Sequence, residues 1–111
     1  MLDLESALER LANDKELYAA VAEAYLEDIT PKMEALNQAI LDDDMNTLSR
    51  VCHSLKGTSS TIGADSCFEL AKVGEVAAGE GQKEAALKTV AELKSALIAV
   101  SAELRTYLQN N

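Results

Sequence analysis

The chain has 111 residues, 48% of them hydrophobic but only 4% aromatic, and a net charge of -9. That length suits one domain with a modest core. The charge repels phosphate backbones and anionic lipid, which sets aside nucleic acid and membrane surfaces as partners.

A core poor in aromatics must be built from Leu, Ala, Val and Ile, the materials of helix packing. One Pro and five Gly leave little turn chemistry for a sheet, and no stretch alternates apolar and polar residues long enough to read as strands. The expected fold is all-α, an antiparallel four-helix bundle with a short N-terminal lid helix, as one domain over residues 1–111. An acidic surface without a second apolar face predicts a monomer. No apolar run approaches a membrane span, and the start Met1-Leu2-Asp3-Leu4-Glu5 is acidic where a signal peptide would be basic, so a cytoplasmic location is expected.

In chain order, Asp3 can cap a short helix carrying Leu4, Ala7, Leu8 and Leu11, too brief to stand alone and therefore a lid. Asn13 or Asp14 opens a second helix with an apolar stripe at Leu17, Val21, Tyr25, Ile29, Met33, Leu36 and Ile40. The stripe keeps its phase across Pro31, which predicts one kinked helix and not two. Asp42-Asp43-Asp44 reads as a turn and N-cap; it lacks the alternating oxygen ligands and the glycine of a calcium loop. A third helix follows from about Met45 to about Ile62, and Gly63 is placed to end it in a left-handed conformation. Asp65 can cap a fourth, from about Ser66 to about Ala78, whose Phe68, Leu70, Ala71, Val73 and Ala77, interrupted by Gly74, offer a slim packing surface. Gly79-Glu80-Gly81 closes it. From about Lys83 the last helix carries Val90, Leu93, Leu97, Val100, Leu104 and Tyr107 in steps of three and four, the spacing of a bundle seam. Its Lys88, Glu92, Lys94, Glu103 and Arg105 form an ordinary solvated face.

The third helix carries the chemistry. Leu48, Val51, Cys52, Leu55, Ser59 and Ile62 form its apolar stripe, and at about 100° per residue His53 falls roughly 140° from the stripe's centre, facing water. His53 is the one histidine of the chain. Ser60 shares its bearing, with Lys56 and Gly57 to either side, so one face gathers an imidazole, an ammonium, a hydroxyl and bare backbone, groups suited to a phosphoryl group. Glycine inside a helix costs roughly 1 kcal/mol relative to Ala. At Gly57 it either clears the approach of a partner to His53 or lets a neighbouring helix pack closely; its exposed bearing favours access.

The run HSLKGTSSTIGA, His53 to Ala64, resembles the signature of histidine-containing phosphotransfer (HPt) domains of two-component phosphorelays. That signature pairs a phospho-accepting His with Lys three residues on, Gly four on, small hydroxyl residues and a second Gly ten on. The helix layout matches more loosely over most of the chain. The resemblance implies that His53 accepts a phosphoryl group, on Nε2, from a receiver-domain phospho-aspartate and passes it to another receiver's aspartate. Lys56 and Ser60 would then stabilise phosphate, Gly57 give access, and Gly63 end the helix. Where some relatives bring a basic or glutamine side chain from the next helix, the spacing here offers Glu75 and Gly79.

This implies response-regulator receiver domains as partners, with a hybrid sensor kinase as a further candidate; one domain's length suits a free-standing carrier and the excised end of such a kinase equally. In-line phosphoryl transfer needs a metal ion. No cofactor is expected in this chain, and magnesium is expected on the receiver. There is no GxxxxGK run or glycine-rich fingerprint, so ATP-dependent kinase activity is not expected. Cys52 and Cys67 lack metal-ligand spacing with the His and read as structural thiols. Two rival functions are a helical adaptor that binds receiver or kinase domains without carrying phosphate, and a hydrolase using His53 as general base. The second lacks a nucleophile and an orienting acid at recognisable spacing.

Overall fold

The structure, a computed structural model, describes residues 2–110. Five helices account for most of them: α1 (Leu4–Arg10), α2 (Lys15–Leu41), α3 (Met45–Ile62), α4 (Asp65–Gly79) and α5 (Lys83–Gln109). The described residues contain no strand, only an isolated bridge between Leu2 and Ala64. The fold is therefore all-α, as composition predicts. Helix α2 packs on α3 and α5, and α4 packs on the same two, so the four long helices enclose one core. That core is aliphatic, with Leu36, Leu48, Leu55, Ile62, Leu93, Leu97 and Leu104 fully or almost fully buried.

Side-chain caps start three helices. Asp3, Asp14 and Asp44 each accept a hydrogen bond from the backbone N–H three residues on, satisfying amides that have no partner inside the helix. Of the two candidates at the start of α2, Asp14 is thus the cap, and Asn13 lies in the left-handed turn before it (φ 59°). Asp65 does not cap α4. The helix begins on it, and Ala64 occupies the N-cap position without a side-chain bond. Helix α2 runs through Pro31 without interruption.

The buried stripe of α2 differs from the expected one at its start. Tyr18 and Ala22 are buried where Leu17 and Val21 were expected, while Leu17 is exposed and Val21 only half-buried. Tyr18 explains the shift: its hydroxyl donates to the Ile62 carbonyl at 2.8 Å, and its ring meets Tyr107 edge-on at 5.4 Å, so the phenol's polar tip has a partner inside. Farther along, Tyr25, Ile29 and Leu36 face the core as expected, joined by Ala39, with Met33 and Ile40 half-buried. In α4 the small residues Cys67, Ala71, Gly74, Ala77 and Ala78 face inward, but Val73 is exposed, against expectation. The stripe of α3 is buried as expected, Val51 only in part.

Helix α1 is held to the end of α3. Asp3 N–H donates to the Gly63 carbonyl at 2.7 Å, and Arg10 donates to the Ser60 carbonyl at 2.9 Å. Gly63 adopts φ 82°, and a Cβ there would lie 2.6 Å from the Asp3 oxygen. Glycine is needed for both reasons.

Candidate functional site

His53 stands on the middle of α3, opposite the buried stripe, with 67% of its side chain exposed. Its Nδ1 is 2.8 Å from Glu75 Oε2 on α4, and the other oxygen of that carboxylate, Oε1, is 2.7 Å from Lys56 Nζ. Glu75 therefore bridges the two residues that sequence reasoning placed on one face of α3.

Several contacts bring α4 close enough for this. Gly74 lies against the buried Cys52, where a Cβ would sit only 3.1 Å from its sulfur. Ser49, one turn before His53, donates its hydroxyl to the Glu75 carbonyl at 2.9 Å. The backbone of Glu75 is thus tied to α3 on the same side as its carboxylate. Gly79, one turn on, continues the close approach, since a Cβ there would stand 3.3 Å from the Ser49 hydroxyl.

The electrostatics fix the proton. The Lys56 bond above all, with the His53 bond assisting, holds the Glu75 carboxyl below the usual range, so Glu75 is a carboxylate at neutral pH. A carboxylate only accepts hydrogen bonds. His53 Nδ1–H must therefore donate, and in the neutral ring the lone pair lies on Nε2. Lys56 and Glu75 have side chains 28% and 24% exposed, so their pair is only partly hydrated.

The remaining predicted residues lie around this centre. Gly57 is exposed, and a Cβ there would meet nothing within 4 Å; no neighbouring helix packs against it. Ser60, two turns from His53, is half-buried and lends its carbonyl to Arg10. Thr58 back-bonds to the Ser54 and Leu55 carbonyls. Ser59 does not back-bond: its hydroxyl meets Tyr25 OH at 3.0 Å inside the core. Cys52 and Cys67 are both buried and free, and burial pushes the Cys52 thiol up to about 11. Among the described residues, no group of three or more His, Cys, Asp or Glu side chains is disposed to hold a metal ion, and no helix is long and apolar enough to cross a membrane.

Sequence reasoning leaves Glu75 without a role and misses Ser49, while the slim surface it reads at Gly74 does let α4 approach Cys52 closely. The signal that was available is Glu75 itself, an acid at the spacing where some relatives of the motif bring a base or glutamine from the next helix.

The family model described as the Hpt domain matches residues 20–103, most of the chain. The chain belongs to the Hpt domain family. Its fold is similar over nearly the full length to the crystal structure of histidine-containing phosphotransfer protein B from Pseudomonas aeruginosa PAO1, with a TM-score of 0.90 at 21% identity, covering 99% of this chain and 96% of the other. No curated protein matches the chain in sequence. Membership in the family supports a phosphotransfer role in two-component signalling, the role of a carrier and not of a kinase.

Proposed function

We propose that this Hpt domain is a phosphorelay intermediate in which His53 Nε2 takes a phosphoryl group from a receiver-domain phospho-aspartate and passes it to another receiver's aspartate. The observation that carries this reading is the bond from His53 Nδ1 to Glu75, because it directs the lone pair of an exposed ring to the nitrogen that a partner can reach. The nucleophile needs no further base. With Nδ1 already protonated, Nε2 attacks with its lone pair in the neutral ring.

Lys56, held one turn from the ring, offsets the incoming charge, while Ser60, two turns and about 10 Å along the helix, keeps the same face polar without reaching the phosphate. Gly57 leaves room for the partner's backbone beside the imidazole. The receiver brings the acidic residues and the magnesium that stabilise charge in the transferring group. The scaffold is read as an antiparallel four-helix bundle with α1 as its lid, a single domain acting as a cytoplasmic monomer without ATP-dependent activity.

Incubation with a phosphorylated receiver tests the reading. The domain is expected to acquire acid-labile, base-stable phosphate; binding without phosphate uptake would make it an adaptor instead.

A further inference from the structure

The Glu75 carboxylate faces the ring nitrogen opposite to the one that would carry phosphate, and this bears on the return step. We propose that Glu75 is a positioning residue that keeps the Nδ1 proton on the phosphorylated His53 ring, so that the ring departs as neutral imidazole when the phosphoryl group is passed on. The proposal rests on His53 being the phospho-acceptor.

The bond accounting runs in both directions. In uptake, the Nε2 lone pair forms the N–P bond while the P–O bond of the acyl phosphate breaks, its electron pair staying on the donor carboxylate. The ring, still carrying Nδ1–H, gains a positive charge. In return transfer, an oxygen of the accepting carboxylate forms the new O–P bond and the N–P electron pair goes back to Nε2, leaving neutral imidazole with Nδ1–H in place. Had Nδ1 lost its proton to solvent, the same step would expel imidazolate, a far poorer leaving group.

Three features of the site fit this role. The carboxylate is 2.8 Å from Nδ1, in hydrogen-bond contact. Its own backbone is tied to α3 by Ser49, and its second oxygen is anchored by Lys56 at 2.7 Å, so it is held in place and does not simply hang from the ring. A hydrogen bond to an anion favours the protonated, cationic form of the partner. The other charged groups about the ring do not replace it. Lys56 is the other charged side chain of the cluster, and its positive charge does not favour a cationic ring; Arg50 on α3 donates to Thr47 Oγ1, and Lys72 lies one turn before Glu75 on α4. On α2, Asp28 pairs loosely with Lys32, and on α1, Arg10 holds the Ser60 carbonyl.

The test uses the full chain with His53 phosphorylated chemically by phosphoramidate, which requires no receiver. The ring nitrogens are followed by 15N NMR through a pH titration in the native protein, Glu75→Gln and Glu75→Ala. Loss of the Nδ1 proton should move to lower pH in both variants, as expected for removing a negative charge in contact with the ring. Gln retains an oxygen acceptor, so it should fall between the native protein and Ala. In parallel, the rate of transfer from phospho-His53 to a receiver should fall off at lower pH in Glu75→Gln than in the native protein. Circular dichroism checks that each variant is folded, and Lys56→Met, which retains the Glu75 carboxylate while removing a neighbouring positive charge, supplies a second variant in which the titration should not move down as it does in the Glu75 variants. Superimposable titrations and transfer profiles would overturn the proposal while leaving the phosphorelay reading intact. A native protein that takes phosphoramidate phosphate on His53 but exchanges none with any receiver would end the phosphorelay reading, and the return step with it.

Discussion

Lys56 and Glu75 meet across the α3–α4 interface at 2.7 Å, and the same carboxylate holds His53. The pair couples site geometry to pH. Glu75 titrates below its ordinary value of 4.5 in the folded protein, so the stability it contributes is fully present above that value and is lost as pH falls through the depressed folded one. Because the pair is partly hydrated, that contribution should be under about 1 kcal/mol. Lys56→Ala should therefore lose stability near pH 7 and converge on the native protein as pH falls well below 4.5, as read by urea denaturation. A gap that stays constant with pH would show that the lysine acts through packing alone. Phosphate uptake by this variant should be slowed but not abolished.

Gly57 makes stability and function separable. A side chain there meets open space, so Gly57→Gln should keep the fold and stabilise α3 by about 0.5–1 kcal/mol, since glycine is a poor helix former. Phosphotransfer from a receiver should slow, because the new side chain occupies the approach to His53. Thermal denaturation and a transfer time course check the two halves. An unchanged rate would remove Gly57 from the partner-access role.

Gly63 behaves in the opposite way. At φ 82° a Cβ is strained, and here it would also run into the Asp3 carbonyl and Ala7. Gly63→Ala should cost about 2 kcal/mol or more. Hydrogen exchange should show α1 loosening first, because Asp3 N–H bonds the residue that must move.

The buried pair Tyr25 and Ser59 supplies a further test. Tyr25→Phe leaves the Ser59 hydroxyl without its partner in a fully buried position and should cost about 1–2 kcal/mol. Adding Ser59→Ala should recover part of that loss, and the double-mutant cycle should report a coupling of at least about 0.5 kcal/mol. Additive losses would mean that the hydroxyls do not depend on each other.

These residues also show which features a single sequence reveals. The buried stripe of α3 and the exposed bearing of His53 were legible because helical phase within one element is fixed by residue spacing alone. The short first helix, the three aspartate caps and the left-handed Gly63 were legible because each is signalled by local backbone chemistry. Tyr18 was not, since it is buried by virtue of a carbonyl 44 residues away that no pattern within α2 can supply. Glu75 was visible as an oddity only. Its role depends on how α4 is rotated and how closely it approaches α3, which the Gly74 contact with Cys52 and the Ser49 bond decide. Val73 fell on the wrong side for the same reason: a helix of mostly small residues has a weak apolar phase.

The most direct test of the phosphorelay reading is phosphate uptake by the native domain and by His53→Gln from the same phosphorylated receiver. An exposed imidazole makes few buried contacts, so the substitution should change stability by no more than about 0.5 kcal/mol, and the two proteins can be compared under one set of conditions. The native domain should gain acid-labile, base-stable phosphate and His53→Gln none. Equal labelling of the two would place the acceptor elsewhere and contradict the account.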